Sequence, residues 1–257
     1  MPAVKITSEL QRISSDLAAG CDKLRFGQQV AAVYNPLVYA SVPHNLYLRL
    51  AGAATKKIIF LGMNPGPWGM AQTGVPFGES AAVRDWLGIL AEVGKPKKEH
   101  PKRPIEGFAC TKSEVSGRRL WGLFRERFKT PGKFFHDHFV ANYCPLTFMS
   151  ESGANITPDK LSAGETDPLF ELCDRALADT IRLLKPEWVI GIGGFAKKRI
   201  DKVKEKFFGA ESAGGINGKH AAFTSAKILH PSPASPKANA GWDREVIKTL
   251  VDLGVWQ

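Results

Sequence analysis

The chain has 257 residues, 44% hydrophobic and 23% charged, the balance of a globular protein with a sizeable core. Its net charge of +10 points to polyanionic partners, nucleic acid before acidic membrane surfaces or phosphorylated small molecules. Cys21, Cys110, Cys144 and Cys173 stand far apart with no CxxC pair, which argues against a zinc ribbon or an iron–sulfur cluster and fits a reducing compartment. No apolar run reaches the roughly 18 residues of a membrane span, and the N-terminal stretch lacks the apolar core of a signal peptide. An intracellular, non-secreted protein is expected, in the cytoplasm or nucleoid of a bacterium or the nucleus of a eukaryote.

In chain order, ITSELQRISSDLAA (6–19) has helical spacing, with Leu10, Ile13 and Leu17 on one face. KKIIFLGM (56–63) reads as a buried strand. SAAVRDWLGILAEVG (80–94) reads as a helix with a Ser start and a Gly stop, and KPKKEHPKRP (95–104) as an exposed, extended loop. A second strand follows in FVANYCPL (139–146), a helix in DPLFELCDRALADTIRLL (167–184) and a third strand in WVIGIGG (188–194). FAKKRIDKVKEKF (195–207) is a basic amphipathic helix, AAFTSAKILH (221–230) a fourth strand, and GWDREVIKTLVDLG a closing helix. Short apolar strands alternating with helices predict an α/β fold, a parallel sheet covered on both faces. No linker or internal repeat divides the chain, so residues 1–257 are expected to form a single domain with the helix at 6–19 packed on it. Ligands of such sheets sit beyond the carboxyl ends of the strands. The first, second and fourth strands run there into GMNPGP, NYCPL and HPSPAS, three polar loops stiffened by proline.

In GMNPGP, Asn64 can hold a water through its amide oxygen, and Gly66 lets a backbone approach a ligand. Phe77, in GVPFGE, offers a flat face to a base; a structural Asx-turn with a buried Phe explains the same residues. His230, rigidly held before alternating prolines, can donate to an oxyanion, and the Pro/Ser-rich stretch after it is shaped to press into a duplex. An ordinary loop histidine is the competing explanation. Asn142 can read a uracil edge, accepting from N3–H and donating to O4, a pattern cytosine reverses; a turn-forming Asn is equally compatible. GIGG (191–194) lacks the remainder of a dinucleotide or P-loop motif. His136 and His138 are spaced to share a strand face, but no third ligand is suggested and they are read as structural; RR (118–119), KKR (197–199) and KVKEK (202–206) are read as solvated faces or phosphate contacts.

GMNPGPWGMAQTGVPFGE, HPKRP, SEVSGRRLWGLF, NYCPL and HPSPASPKAN, in this order, resemble the single-strand-selective monofunctional uracil-DNA glycosylases from about residue 25 to the C-terminus. The resemblance implies a three-layer α/β/α fold around a central, mainly parallel four-stranded sheet. It also implies excision of uracil and relatives such as 5-hydroxymethyluracil from DNA by a flipped-base mechanism. Carried over by motif, Asn64 positions the hydrolytic water and His230 stabilises the uracil anion at O2. Phe77 stacks on the base, Asn142 reads its edge, and Met63 and Gly66 complete the pocket, Gly66 leaving room at the 5-position. Pro231, Ser232, Pro233, Ser235 and Lys237 form the DNA-contacting finger. Trp68 stands where Phe is expected, and Ala234 and Ser235 replace the Arg and Asn of vertebrate members, so the long plugging side chain is missing, with Lys237 a partial substitute.

The implied enzyme is monomeric, acts on single- and double-stranded uracil-containing DNA, and uses no metal or cofactor. No lysine suited to a Schiff base stands in these motifs, so an abasic site without strand cleavage is expected. No carboxylate stands in the three rim motifs, Glu79 being the nearest acid, so leaving-group stabilisation is expected to outweigh base catalysis. The competing function classes are a non-catalytic nucleic-acid-binding module and a nucleotide-dependent enzyme built on GIGG.

Overall fold

The four apolar runs form the four strands of one parallel sheet. In the computed structural model, which describes residues 3–213 and 223–257, the strands are β1 (Ala32–Tyr34), β2 (Ile58–Gly62), β3 (His138–Asn142), β4 (Thr147–Met149), β5 (Asn155–Ile156), β6 (Trp188–Ile192) and β7 (Thr224–Ile228). The main sheet has the order β3-β2-β6-β7, all parallel. Every residue of β2 is buried, as a strand covered on both faces requires. The edge strand β7 instead exposes Thr224 and Lys227. Ala221 and Ala222, expected to open that strand, lie outside the described residues.

Helices cover the sheet and give the three-layer α/β/α arrangement. The helix Ala3–Cys21 packs on Ala163–Leu184, and Gly194–Ala213 packs on β6 and β7. The helix Ala163–Leu184 starts with a capping box between Ser162 and Glu165, the device that satisfies otherwise orphaned N–H groups. The helices Val115–Phe128 and Pro131–Asp137 contribute Trp121, Phe124, Phe128, Phe134 and Phe135 to an aromatic core that also holds Phe60, His138 and Trp256. His138 is thus a core residue, whereas His136 lies at the exposed end of a helix, so the two share no strand face.

Between the helices Ala163–Leu184 and Gly194–Ala213 lies a buried ion pair. Arg199 Nη2 donates to both carboxylate oxygens of Asp174 at 2.6 Å, and the Tyr143 hydroxyl donates to the same carboxylate at 2.7 Å. The guanidinium also stands 4.4 Å from the ring centre of Phe170.

Two expectations need correction. Residues 80–94 do not form a helix: a single wide turn, Ala82–Trp86, is stopped by Gly88 in the left-handed region (φ 68°), and the chain beyond runs irregularly. Residues 95–104 are mostly exposed, but His100 is buried against Tyr34, whose hydroxyl accepts from the His100 N–H at 2.7 Å. A second, antiparallel sheet, β1-β4-β5, goes unread in the sequence because strands of two or three residues show no period.

Candidate active site

The register of the main sheet fixes the site. Gly62 at the end of β2 pairs with Asn142 at the end of β3. Pairing continues past the strands, with Tyr143 N–H donating to Gly62 O (3.0 Å) and Cys144 N–H to Met63 O (2.9 Å). The turn carrying Met63 and Asn64 is therefore tied to its neighbour strand. Beyond these ends opens a cavity of about 480 Å³ lined by Asn64, Phe77, Glu114, Asn142, His230 and Ser232 among others; Met63, Gly66, Trp68 and Pro233 complete its rim.

Asn64 Nδ2 donates to the carbonyl of Leu146 at 3.2 Å. A carbonyl only accepts, so this bond fixes which end of the amide is nitrogen and leaves Oδ1 available as an acceptor. Asn142 is oriented similarly, with Nδ2 3.3 Å from the Met70 thioether, while its Oδ1 is buried with no partner among the described residues. A Cβ built at Gly62 would lie 2.4 Å from Asn142 Oδ1 and 2.5 Å from the Phe77 ring, so the amide and the aromatic face converge over this glycine.

Phe77 adopts positive φ (53°), unusual for a bulky residue and a sign of backbone strain held by its surroundings. Its neighbours provide that hold. Trp121 Nε1 donates to Pro76 O at 3.1 Å, and Gly117 lies so close that a Cβ there would come within 2.2 Å of Phe77 O. His230 stands with its ring 6.4 Å from that of Phe77. Burial pushes His230 below the ordinary imidazole value, so it is a neutral donor at neutral pH.

The other side chains of the first loop also have assignments. Gln72 is fully buried; its Nε2 donates to Pro67 O and Pro104 O (3.0 Å each), and its Oε1 accepts from Glu106 N–H (2.8 Å) and Gly107 N–H (3.1 Å). It is a strut that joins two loops. Trp68 is flanked by Arg103 at 5.0 Å and Lys112 at 4.7 Å from its ring centre, a cationic rim at the cavity mouth.

The structure thus gathers Met63, Asn64, Gly66, Phe77, Asn142, His230, Ser232 and Pro233 around one cavity. Pro231, Ser235 and Lys237 stand outside its lining. Pro231, at the base of the finger, is buried, Ser235 caps the short helix Pro236–Asn239 by accepting from Ala238 N–H (3.3 Å), and Lys237 is exposed on that helix. Arg119 clamps the finger: Nη1 donates to Pro231 O (3.1 Å) and Nη2 to Asn239 Oδ1 (2.8 Å). Asn239 Nδ2 in turn donates to Pro233 O at 2.8 Å.

Sequence reasoning missed Glu114, an acid in the cavity wall. The one sequence signal is that the helix Val115–Phe128 begins behind a Glu whose side chain makes no cap, where Ser, Thr, Asp or Asn is preferred. Among the described residues no cluster of His, Cys, Asp or Glu is placed to hold a metal ion, and no helix is long and apolar enough to cross a membrane.

Residues 51–251 match the family model described as the Uracil DNA glycosylase superfamily. The single-strand selective monofunctional uracil-DNA glycosylase of Rattus norvegicus is 44% identical over 239 residues, covering 93% of this chain and 82% of the relative. That of Bos taurus is 44% identical over 233 residues, covering 91% and 81%. The crystal structure of wild-type Pedobacter heparinus SMUG2 superposes with a TM-score of 0.61 at 14% identity, covering 95% of this chain and 97% of that one, a likeness of fold. The chain belongs to the uracil DNA glycosylase superfamily, in the family of single-strand selective monofunctional uracil-DNA glycosylases.

Proposed function

We propose that this protein excises uracil from DNA by hydrolysing the N-glycosidic bond of a nucleotide swung out of the helix, leaving an abasic site. The observation that carries the reading is the convergence of Asn64, Phe77, Asn142 and His230 on one cavity beyond the carboxyl ends of β2, β3 and β7. Buried uracil would satisfy the orphaned Asn142 Oδ1 through N3–H and place its ring against Phe77. Cytosine offers no donor at N3, so the same amide would stay unpaired, and such a mismatch is costly in a closed site.

Cleavage leaves an oxocarbenium-like sugar and a uracil anion. Neutral His230 donates to the oxygen on which charge develops, needing no proton transfer. Asn64 is a poor base; its Oδ1 orients the attacking water while Nδ2 stays tied to Leu146. Flipping costs a few kcal/mol and is cheapest for unpaired or mismatched bases, so single strands and G·U pairs are better substrates than A·U pairs. The +10 charge supplies sequence-independent phosphate affinity that weakens with salt. The test is release of free uracil from defined oligonucleotides, with Asn64→Ala as control; DNA binding without base release identifies a non-catalytic module instead.

A further inference from the structure

The basic loop KPKKEHPKRP (95–104) is the sequence feature that the proposed function leaves unused. It is tied to the site. Gln72 donates to Pro104 O at 3.0 Å, the buried His100 donates its N–H to the Tyr34 hydroxyl, and that hydroxyl donates to Arg103 O at 2.7 Å. Tyr34 ends β1, so the small antiparallel sheet anchors the loop. These bonds bring the Arg103 guanidinium to 5.0 Å from the centre of the Trp68 indole, where Lys112 arrives from another segment at 4.7 Å. Trp68 lines the cavity, as do the uncharged polar residues Ser113, Ser116, Asn155 and Thr157.

Two cations on one ring stand near enough to repel each other, and an indole face attracts a cation without neutralising it. Neither has a carboxylate partner among the described residues. Arg103 Nη1 donates only to the carbonyl of its neighbour Lys102 (3.0 Å), and its Nε is buried out of reach, which leaves Nη2 and the Lys112 ammonium for a partner. The positive charge at this part of the mouth is held in place and uncompensated, so the partner it lacks is an anion. The inference rests on the proposed function: a nucleotide whose base lies inside the cavity keeps its phosphodiesters at the mouth. We propose that Arg103 and Lys112 form a phosphate subsite that holds a backbone phosphodiester next to the flipped nucleotide, with Trp68 as the platform that aligns the two cations. The ligand is a phosphate and not a base, so the subsite serves single strands and duplexes alike.

The experiment titrates excess protein over a single-stranded oligonucleotide with one uracil and reads the half-saturating concentration and the maximal single-turnover rate. The substrate carries natural phosphates or one neutral methylphosphonate on the 5′ or the 3′ side of the uracil. The proteins are wild type, Arg103→Gln, Lys112→Gln and the double variant. In wild type, the methylphosphonate at one of the two positions raises the half-saturating concentration about tenfold, the order of a lost charge-assisted contact. The double variant binds the natural substrate about tenfold more weakly with its maximal rate within about threefold of wild type. Its affinity falls less steeply with salt, by about 0.7 in the log–log slope for one phosphate. The same methylphosphonate then costs it less than about twofold, because the contact is already gone. The two single variants carry the comparison where the double variant fails to fold. A wild type indifferent to methylphosphonate at both positions, or an equal penalty in wild type and variants, overturns the subsite. A wild type that releases no base overturns the glycosylase reading alone; the same titrations, read as binding by fluorescence anisotropy, still decide the subsite.

Discussion

Two of the carboxyls withdrawn from solvent among the described residues are treated in opposite ways. Asp174, between two helices, has Arg199 on both oxygens and the Tyr143 hydroxyl besides. Glu114, in the cavity wall, has an oxygen with no partner among the described residues and a like charge, Glu79, for its electrostatic neighbour. The same contrast separates Gln72, bonded at both ends of its amide, from Asn142, whose Oδ1 is unpaired. Asp174 and Gln72 brace the scaffold and are bonded within the chain, although the scaffold also holds buried unpartnered atoms, Arg199 Nε and Asn35 Oδ1 among them. Glu114 and Asn142, which line the cavity, each keep an unpaired oxygen, and the stability forgone at Asn142 is available to a bound substrate.

The comparison is broken or sharpened by substitutions on its two sides. The largest effect is expected for Asn64→Ala, which removes the acceptor aimed into the cavity; uracil release in single-turnover assays nearly vanishes while the melting temperature barely changes. Normal kinetics would remove Asn64 from the site. On the scaffold side, Asp174→Ala leaves Arg199 buried without its partner and lowers unfolding stability by about 3–5 kcal/mol in urea titrations. Its excision rate per folded molecule stays within several-fold of wild type. A stability loss under 1 kcal/mol would show that the pair does not hold the two helices.

His230→Leu is expected to slow excision by about 10²–10³ with DNA affinity largely kept, as for loss of one oxyanion donor. Unchanged single-turnover release would reject that role. A smaller effect, opposite in sign to that of Asp174→Ala, is expected for Glu114→Gln in stability. The ordinary carboxyl value is 4.5 and burial raises Glu114 to about 7. Between those values the folded state keeps a proton that the unfolded chain has released, so the cost of this group grows as pH rises through the window and is complete above it. Glu114→Gln therefore raises unfolding stability at pH 8 by about 2–3 kcal/mol and leaves it nearly unchanged at pH 4. No gain at pH 8 would mean that the carboxyl has a partner after all. Smallest is Arg119→Ala, which frees the finger; duplex excision falls about fivefold while single-stranded excision holds, because only the duplex needs its base pushed out.

Much of this was legible in the residues, and what was not has physical causes. Buried parallel strands are recognisable as apolar runs, and loops dense in Pro, Gly and Asn mark their ends, so Asn64, Asn142 and His230 could be placed at one rim from the sequence. Residues 80–94 misled because their helical spacing is real for one turn, after which Gly88 at positive φ redirects the chain. Glu114 was hidden because its one local mark, an acid where Ser, Thr, Asp or Asn would cap the helix, does not distinguish an enclosed carboxyl from an exposed one. Only the approach of Gly66 and Gly69, far away in the chain, encloses it. The clamp of Arg119 on the finger was likewise tertiary, joining residues 112 positions apart.

The central claim is that the cavity beyond β2, β3 and β7 holds a flipped pyrimidine while its glycosidic bond is hydrolysed. Single-turnover incubation of the protein with a duplex bearing one G·U pair, read by mass spectrometry of released base and by strand integrity, tests it most directly. The account predicts free uracil in step with abasic sites, on strands that break only after alkali. Tight binding with no base released, or strands cut at once without alkali, would contradict it.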